Sequence, residues 1–210
     1  MKLVVLQIKG GVGKTSIAVS FALSKHFALV TNDVVTDLTK LTTLQTYLID
    51  TNLKRIPAKF MKKDLDIIFD MGAMSGLVDA KTAHAVKMAD GVLIPTMSDA
   101  RSIRGAIETI KFVQTEMTNI FIIVNKVTND KEFEKIVEQF KPYLATNNIF
   151  FMRDTTLFKR IADDGDDWYL NMHNKRGNHM LKKTMQKHNE IYEEIIKRTK
   201  LFSKQKKGSL

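Results

Sequence analysis

The chain has 210 residues, 44% of them hydrophobic, and a formal net charge of +10. That length and apolar content suit one domain with a substantial core, and the absence of cysteine excludes disulfide scaffolds, thiolate zinc sites and cysteine-ligated iron–sulfur clusters. Met1 leads straight into an apolar segment without a signal-peptide pattern, and no apolar run approaches the roughly 20 residues that span a bilayer. A soluble cytoplasmic protein without a transmembrane segment is expected.

Short β-branched runs alternate with longer amphipathic ones, which predicts an α/β fold: a mostly parallel β-sheet flanked by helices on both faces. Strands are expected at Lys2 to Ile8, Ala28 to Thr31, Asp66 to Asp70, Gly91 to Pro95, Ile120 to Asn125 and Ile149 to Met152. Their unbroken apolarity fits strands covered on both sides. Helices are expected at Lys14 to His26, Val78 to Met88, Asp99 to Met117, Lys131 to Leu144 and Asn178 to Thr199, with Ser98 or Asp99 capping the third. Between Thr39 and Lys63 the pattern mixes a helix-like Leu41 to Ile49 with an irregular stretch around Pro57. The expected organisation is a single domain over 1–202 and a basic, disordered tail over 203–210.

Between the first strand and the first helix lie Lys9, Gly10, Gly11, Val12, Gly13, Lys14, Thr15 and Ser16. Glycines there let successive backbone N–H groups converge on phosphate oxygens, and the helix N-terminus adds its positive end. Lys14 is placed to reach the β and γ phosphates of a nucleotide, and the Thr15 hydroxyl to ligate Mg2+. Ile67, Ile68 and Phe69 followed by Asp70 read as a strand ending in a carboxylate that can hold a magnesium-bound water. The plain alternative for Asp70 is a helix cap.

The segment from Lys9 to Ser16 resembles the deviant Walker A loop of the ParA and MinD group of P-loop ATPases, in which the early lysine is a signature residue. The resemblance extends by element order from Met1 to about Ile196. It implies binding of ATP and Mg2+, and a nucleotide-sandwich homodimer in which Lys9 acts in trans on the partner subunit's phosphates. Thr31, Asn32, Asp33, Val34 and Val35 stand where the family usually has Asp-x-Asp-Pro-Gln. Only the second aspartate is retained, as Asp33, which the resemblance makes the residue that positions the attacking water. After Asp70 the family usually continues Thr-Pro-Pro, whereas this chain has Met71, Gly72 and Ala73. Asn125 matches the family's base-contacting asparagine, and an amide that donates and accepts at once suits the edge of adenine. Arg153 and Asp154 fall in the loop that relatives wrap over the base. Nearby, Asp163, Asp164, Asp166 and Asp167 are read as a solvated acidic turn rather than a metal site.

Eleven lysines and arginines lie between Lys175 and Lys207 against three glutamates, so most of the net charge sits there. Leu181, Met185, His188, Tyr192, Ile195, Thr199 and Phe202 recur at steps of three and four, an apolar stripe expected to dock on the domain. At ~100° per residue, Lys182, Lys183, Lys187, Lys197, Arg198 and Lys200 project over the other side. They form either a solvated mixed-charge face or a track for nonspecific contact with DNA phosphates. His173, His179 and His188 are not spaced as metal ligands.

By resemblance the expected function is that of a small ParA-like ATPase. ATP drives dimerisation, the dimer binds DNA without sequence preference, and a centromere-binding, ParB-like partner stimulates hydrolysis, so that a plasmid or chromosome region is segregated. Nucleoid association follows from that expectation. Three alternatives stay open: a MinD-like membrane-associated ATPase, a nucleotide-binding scaffold with little hydrolysis, and a small-molecule synthetase or kinase on the same fold.

Overall fold

The computed structural model describes residues 1–33, 38–62, 64–72, 79–117, 119–153, 155–172 and 179–208. Seven strands are present among them: β1 (Lys2–Val5), β2 (Ala28–Thr31), β3 (Thr46–Leu48), β4 (Ile67–Asp70), β5 (Gly91–Thr96), β6 (Ile120–Val127) and β7 (Ile149–Arg153). They form one sheet in the order β3-β2-β4-β1-β5-β6-β7, and every pairing is parallel. Every residue of β1, β2, β4 and β5 is buried, as the continuous apolar runs require of strands covered on both faces.

Helices α1 (Lys14–Lys25), α2 (Ala80–Met88), α3 (Ala100–Gln114), α4 (Asp130–Phe140), α5 (Leu157–Asn171) and α6 (His179–Gly208) make the outer layers. Buried residues of α2, α3 and α4 share a cluster with one face of the sheet, and those of α1, α5 and α6 share a cluster with the other. Side-chain caps start three of these helices: Asp79 accepts from the Thr82 N–H, Asp99 from Ser102 and Asn129 from Glu132. From β1 the chain steps to one side of the sheet and after β4 to the other. The crevice beyond the carboxyl ends of the central strands is therefore the topological place for a ligand.

Three local readings of the sequence need correction. The helix-like stretch from Leu41 to Ile49 contains the edge strand β3 instead. Leu41 and Leu44 pack on one face of the sheet while Tyr47 and Ile49 pack on the other, so their near-helical spacing belongs to no helix. The acidic segment from Asp163 to Asp167 lies within α5, which breaks at Gly165 (φ 80°, ψ −177°). A Cβ there would stand 2.5 Å from the Lys40 carbonyl oxygen, so only glycine fits. Asp166 is fully buried rather than solvated, and accepts hydrogen bonds from the N–H groups of Thr42, Thr43 and Leu44 and from both threonine hydroxyls. Burial pushes its carboxyl up, but these donors outweigh it and hold the group below the usual carboxylate range. Finally, α6 continues past Thr199 to Gly208, through Lys and Gln residues that are good helix formers up to the first glycine. The helix thus runs beyond the end at Thr199 expected from the sequence, and residues 209 and 210 fall outside the described ones.

Candidate functional site

The loop between β1 and α1 turns on Gly11 (φ 75°) and Gly13 (φ 90°), and Gly13 is the residue before the helix. An added Cβ at Gly13 would lie 2.5 Å from the Asn125 Nδ2, so both its backbone and its surroundings demand glycine. Lys14, nearly buried, folds back so that its Nζ donates to the Lys9 carbonyl at 3.2 Å. Burial lowers its pKa, and the charges of Asp70 and Asp33 oppose that shift. Lys14 thus senses the carboxylates at the ends of both β4 and β2.

Parallel pairing of β2 with β4 aligns Thr31 with Asp70, and β1 runs alongside. One oxygen of Asp70, Oδ2, accepts from the Thr15 hydroxyl at 2.9 Å and from the Thr31 hydroxyl at 3.1 Å. The other, Oδ1, is buried and accepts no hydrogen bond among the described residues. Desolvation raises the Asp70 pKa, with the Thr15 and Thr31 hydroxyls acting against it. The Thr31 hydroxyl itself accepts from the Asp33 N–H at 3.0 Å, which ties the end of β2 into the same cluster.

Lys9 points along the other side of the loop. Its Nζ lies 3.2 Å from Asp99 Oδ1 and 2.7 Å from the Ser102 hydroxyl, at the start of α3. The Ser102 hydroxyl and N–H, with Lys9 adding to them, draw the Asp99 pKa down to about 2. Beneath the loop, fully buried Gln7 accepts from the Lys9 N–H and donates to the carbonyls of Pro95 and Ser102, which anchors the loop to α3.

A cleft of about 620 Å³ opens beside the loop, lined among others by Gly11, Gly13, Ser16, Asn125, Lys126, Arg153 and Phe158. Asn125 and Lys126 sit where β6 slips register against β7, and Lys126 takes a left-handed φ of 57°. Such a bulge re-aims side chains: Asn125 turns inward, where its Nδ2 donates to the Val12 carbonyl at 3.0 Å, and Lys126 faces the cleft. The Asn125 Oδ1 is buried and accepts from nothing described.

The model of the CobQ/CobB/MinD/ParA nucleotide binding domain family matches residues 3–168, which takes in the loop, both strand-end carboxylates and most of the cleft. The chain belongs to that family. Among solved structures, the ATP complex of a Cyanothece McdA variant superposes with a TM-score of 0.64 at 16% identity, covering 93% of this chain and 95% of that one. A Borrelia burgdorferi B31 protein named as a plasmid partition protein, bound to AMPPNP, gives a TM-score of 0.60 at 16% identity over 94% and 98%. These likenesses show a shared fold. A curated relative, the Ras-like protein rasU of Dictyostelium discoideum, is 26% identical over 208 residues, 90% of this chain and 89% of its own length.

Of the residues singled out from the sequence, Lys9, Lys14, Thr15, Asp33, Asp70 and Asn125 converge on the loop of this family's nucleotide-binding domain. Arg153 lies at the cleft with a loose ion pair to Asp130 at 3.5 Å, and Asp154 falls outside the described residues. The fold also brings Asp99 and Ser102 against Lys9, Asn32 against Gly72 and Lys126 to the cleft, and the sequence assigns none of them a role there. Asp99 is legible only as a helix cap, and nothing in the spacing links it to Lys9.

The apolar stripe of α6 docks as expected: Met185, His188, Tyr192, Ile195 and Thr199 are buried, while Phe202 stays exposed. On the outer side Lys183, Lys187, Lys197 and Lys200 are exposed and Lys182 is half-buried. Arg198 departs from that row. It bonds Glu194 at 2.8 Å, the Asn147 carbonyl and Asn148 Oδ1, and covers the Phe150 ring at 5.4 Å, so it clamps α6 to the edge of β7. No helix among the described residues is long and apolar enough to cross a membrane.

Proposed function

We propose that the chain is a Mg2+-dependent ATPase of the ParA type, which dimerises on ATP and binds DNA without sequence preference. The observation that carries the reading is the contact of the Thr15 hydroxyl with Asp70 beside the buried Lys14 amine, at the N-terminus of α1 and the edge of the cleft. Those groups suit a metal–triphosphate: Asp70 Oδ1 is a buried oxygen with no described partner, and Thr15 offers a hydroxyl next to it. Bound there, Mg2+ would neutralise charge on the phosphate oxygens. Lys14 would hold the β and γ phosphates and the loop N–H groups would orient them. Asp33, at the end of β2, would position the attacking water. Lys9, on the outer side of the loop, would complete the partner subunit's site.

Asn125 and Lys126 favour the cleft as the seat of the base. A free amide oxygen accepts from the adenine amino group, whereas guanine presents acceptors along the same edge. Guanine is the rival base worth measuring, because it differs from adenine at that edge. For DNA, the exposed lysines of α6 would occur twice in a dimer and gain by avidity. MinD-type membrane attachment is the second reading, and exposed Leu201 and Phe202 at the end of α6 are the observation in its favour.

The test is a titration of ATPγS and GTPγS, followed by anisotropy of a labelled duplex at graded salt. The expected result is preference for ATPγS, DNA binding only with it, and a log–log salt slope of about −0.9 per phosphate contacted. Absence of triphosphate binding, or DNA binding indifferent to salt, would overturn the reading. Flotation with anionic vesicles instead of DNA binding would select the membrane alternative.

A further inference from the structure

We infer that Asn32 is a positioning residue for hydrolysis, because its side chain clips together the two strand ends that carry Asp33 and Asp70; the inference rests on the ATPase reading above. Asn32 Oδ1 accepts from the Gly72 N–H at 2.6 Å. Asn32 is adjacent to Asp33, and Gly72 is two residues beyond Asp70. The backbone repeats the link, since the Asn32 N–H donates to the Asp70 carbonyl at 3.3 Å.

The clip lies where the sheet stops guiding the chain. Strand pairing ends at Thr31 and Asp70, and the Met71 N–H reaches the Val5 carbonyl at 3.1 Å as the last bond toward β1. Beyond that point the Asn32 amide holds the segment after β4. Asp70 is fixed against Thr15 through its own side chain, and Asp33 against Thr31 through its N–H. The Asn32–Gly72 bond extends this link past the strand ends: it joins the Thr31 hydroxyl contact with Asp70 and the Asn32 N–H bond to the Asp70 carbonyl in fixing the separation of the two segments. A water oriented by Asp33 must meet a phosphate fixed from the side of Asp70 and Thr15, so this separation governs the attack distance. It has little influence on how tightly Lys14 and the loop hold the ground state. Reacting groups displaced by about 1 Å lose on the order of 100-fold in rate, whereas loss of one hydrogen bond changes an equilibrium by about two- to tenfold.

Two variants remove the same bond from opposite ends. Asn32→Ala deletes the acceptor. Gly72→Pro deletes the N–H, and Gly72 needs no positive φ that would forbid it, although the ring also presses on the Asn32 side chain, since a Cβ there would meet Oδ1 at 3.2 Å. The full-length protein is assayed in single turnover with ATP at saturating protein, alongside ATPγS affinity and thermal unfolding. Each variant is expected to lose about tenfold or more in the hydrolysis rate constant, with ATPγS affinity within about twofold of wild type. The double variant is expected to be no slower than the worse single, since both act on one bond. Should Asn32→Ala fail to fold, the Gly72→Pro arm carries the test. Unchanged rates, losses that follow ATPγS affinity, or additive effects would overturn the inference while leaving the ATPase reading standing. A wild-type chain that binds ATPγS without hydrolysing ATP would overturn the inference and the ATPase reading, but not nucleotide binding. One that binds no nucleotide would overturn that as well.

Discussion

Lys9 and Asp99, separated by 90 residues in sequence, meet at the flank of the phosphate loop, where Nζ lies 3.2 Å from one carboxylate oxygen and 3.4 Å from the other. Both side chains are partly exposed, so the pair is worth at most about 1 kcal/mol. A contact that weak leaves Lys9 free, at little cost, for the role toward a partner subunit proposed above. Asp99 also caps α3, which separates two roles in one residue.

Asp99→Ser keeps a capping oxygen and removes the charge that holds Lys9. Dimerisation with ATPγS should tighten by up to about fivefold, the limit set by an exposed pair. Lys9→Ala should abolish that dimer and leave monomer nucleotide affinity nearly intact. Sedimentation velocity with and without ATPγS measures both.

Lys14→Ala removes the buried amine from the heart of the loop. A charge-assisted contact to phosphate is worth about 1.5–3 kcal/mol, so triphosphate affinity should fall roughly 10- to 150-fold. Calorimetric titration should find the loss in binding itself, in contrast to Lys9→Ala.

The parts of this site visible in the sequence are those whose chemistry is local. Gly11, Gly13, Lys14 and Thr15 lie within five consecutive residues, and Asp70 ends a run of apolar strand residues, so spacing alone exposes them. Asn125 also ends such a run, but its inward turn depends on a bulge and on a left-handed Lys126 that no composition signals. The Lys9–Asp99 pair and the Asn32–Gly72 clip join segments brought together by strand order, which periodicity does not encode. Asp166 is illegible for the same reason, since a carboxylate among aspartates looks solvated until the backbone of 42–44 arrives to satisfy it. Edge strand β3 escapes notice because its apolar neighbours serve two opposite faces.

Asp70 gives a prediction in which stability and function part. Desolvation raises its folded-state pKa above the ordinary value, so its contribution to stability is complete at low pH and is lost as pH rises through the folded pKa. Wherever Asp70 is ionised its buried charge is therefore unfavourable. Asp70→Asn, which keeps an acceptor for Thr15 and Thr31, should raise Tm by on the order of 3 °C and abolish the Mg2+ dependence of nucleotide binding. Scanning calorimetry and a Mg2+ titration check the two halves.

Asp166→Ala leaves the N–H groups of Thr42, Thr43 and Leu44 without their acceptor. Losing several bonds to one buried carboxylate should cost about 3 kcal/mol. Gly165→Ala, which combines a left-handed φ with a Cβ 2.5 Å from a backbone oxygen, should cost about 1–3 kcal/mol. Urea unfolding gives both values, and ATPγS affinity should be retained in the folded fraction of each.

His188 supplies a pH-dependent case on the docked face of α6. It is 3% exposed, stacks on the Phe158 ring at 5.4 Å, and its Nδ1 has no hydrogen-bond partner among the described residues. Burial lowers its pKa from 6.5 to about 4. As pH falls through 6.5 the unfolded chain takes up a proton there, and the folded chain does not until about pH 4. The unfolded state thus binds more protons in that window, and stability must decline as the solution is acidified. His188→Leu should be within about 1 kcal/mol of wild type at pH 7.5, because an unpaired buried nitrogen is replaced by an apolar group. At pH 5 the variant should be more stable by a further ~2 kcal/mol, the share of the linkage accumulated by then. Comparing the two proteins at each pH cancels the carboxylates common to both, so urea unfolding at pH 7.5 and 5 isolates this one side chain. An equal stability difference at both pH values would mean that His188 is already protonated, or accessible to water, in the folded state.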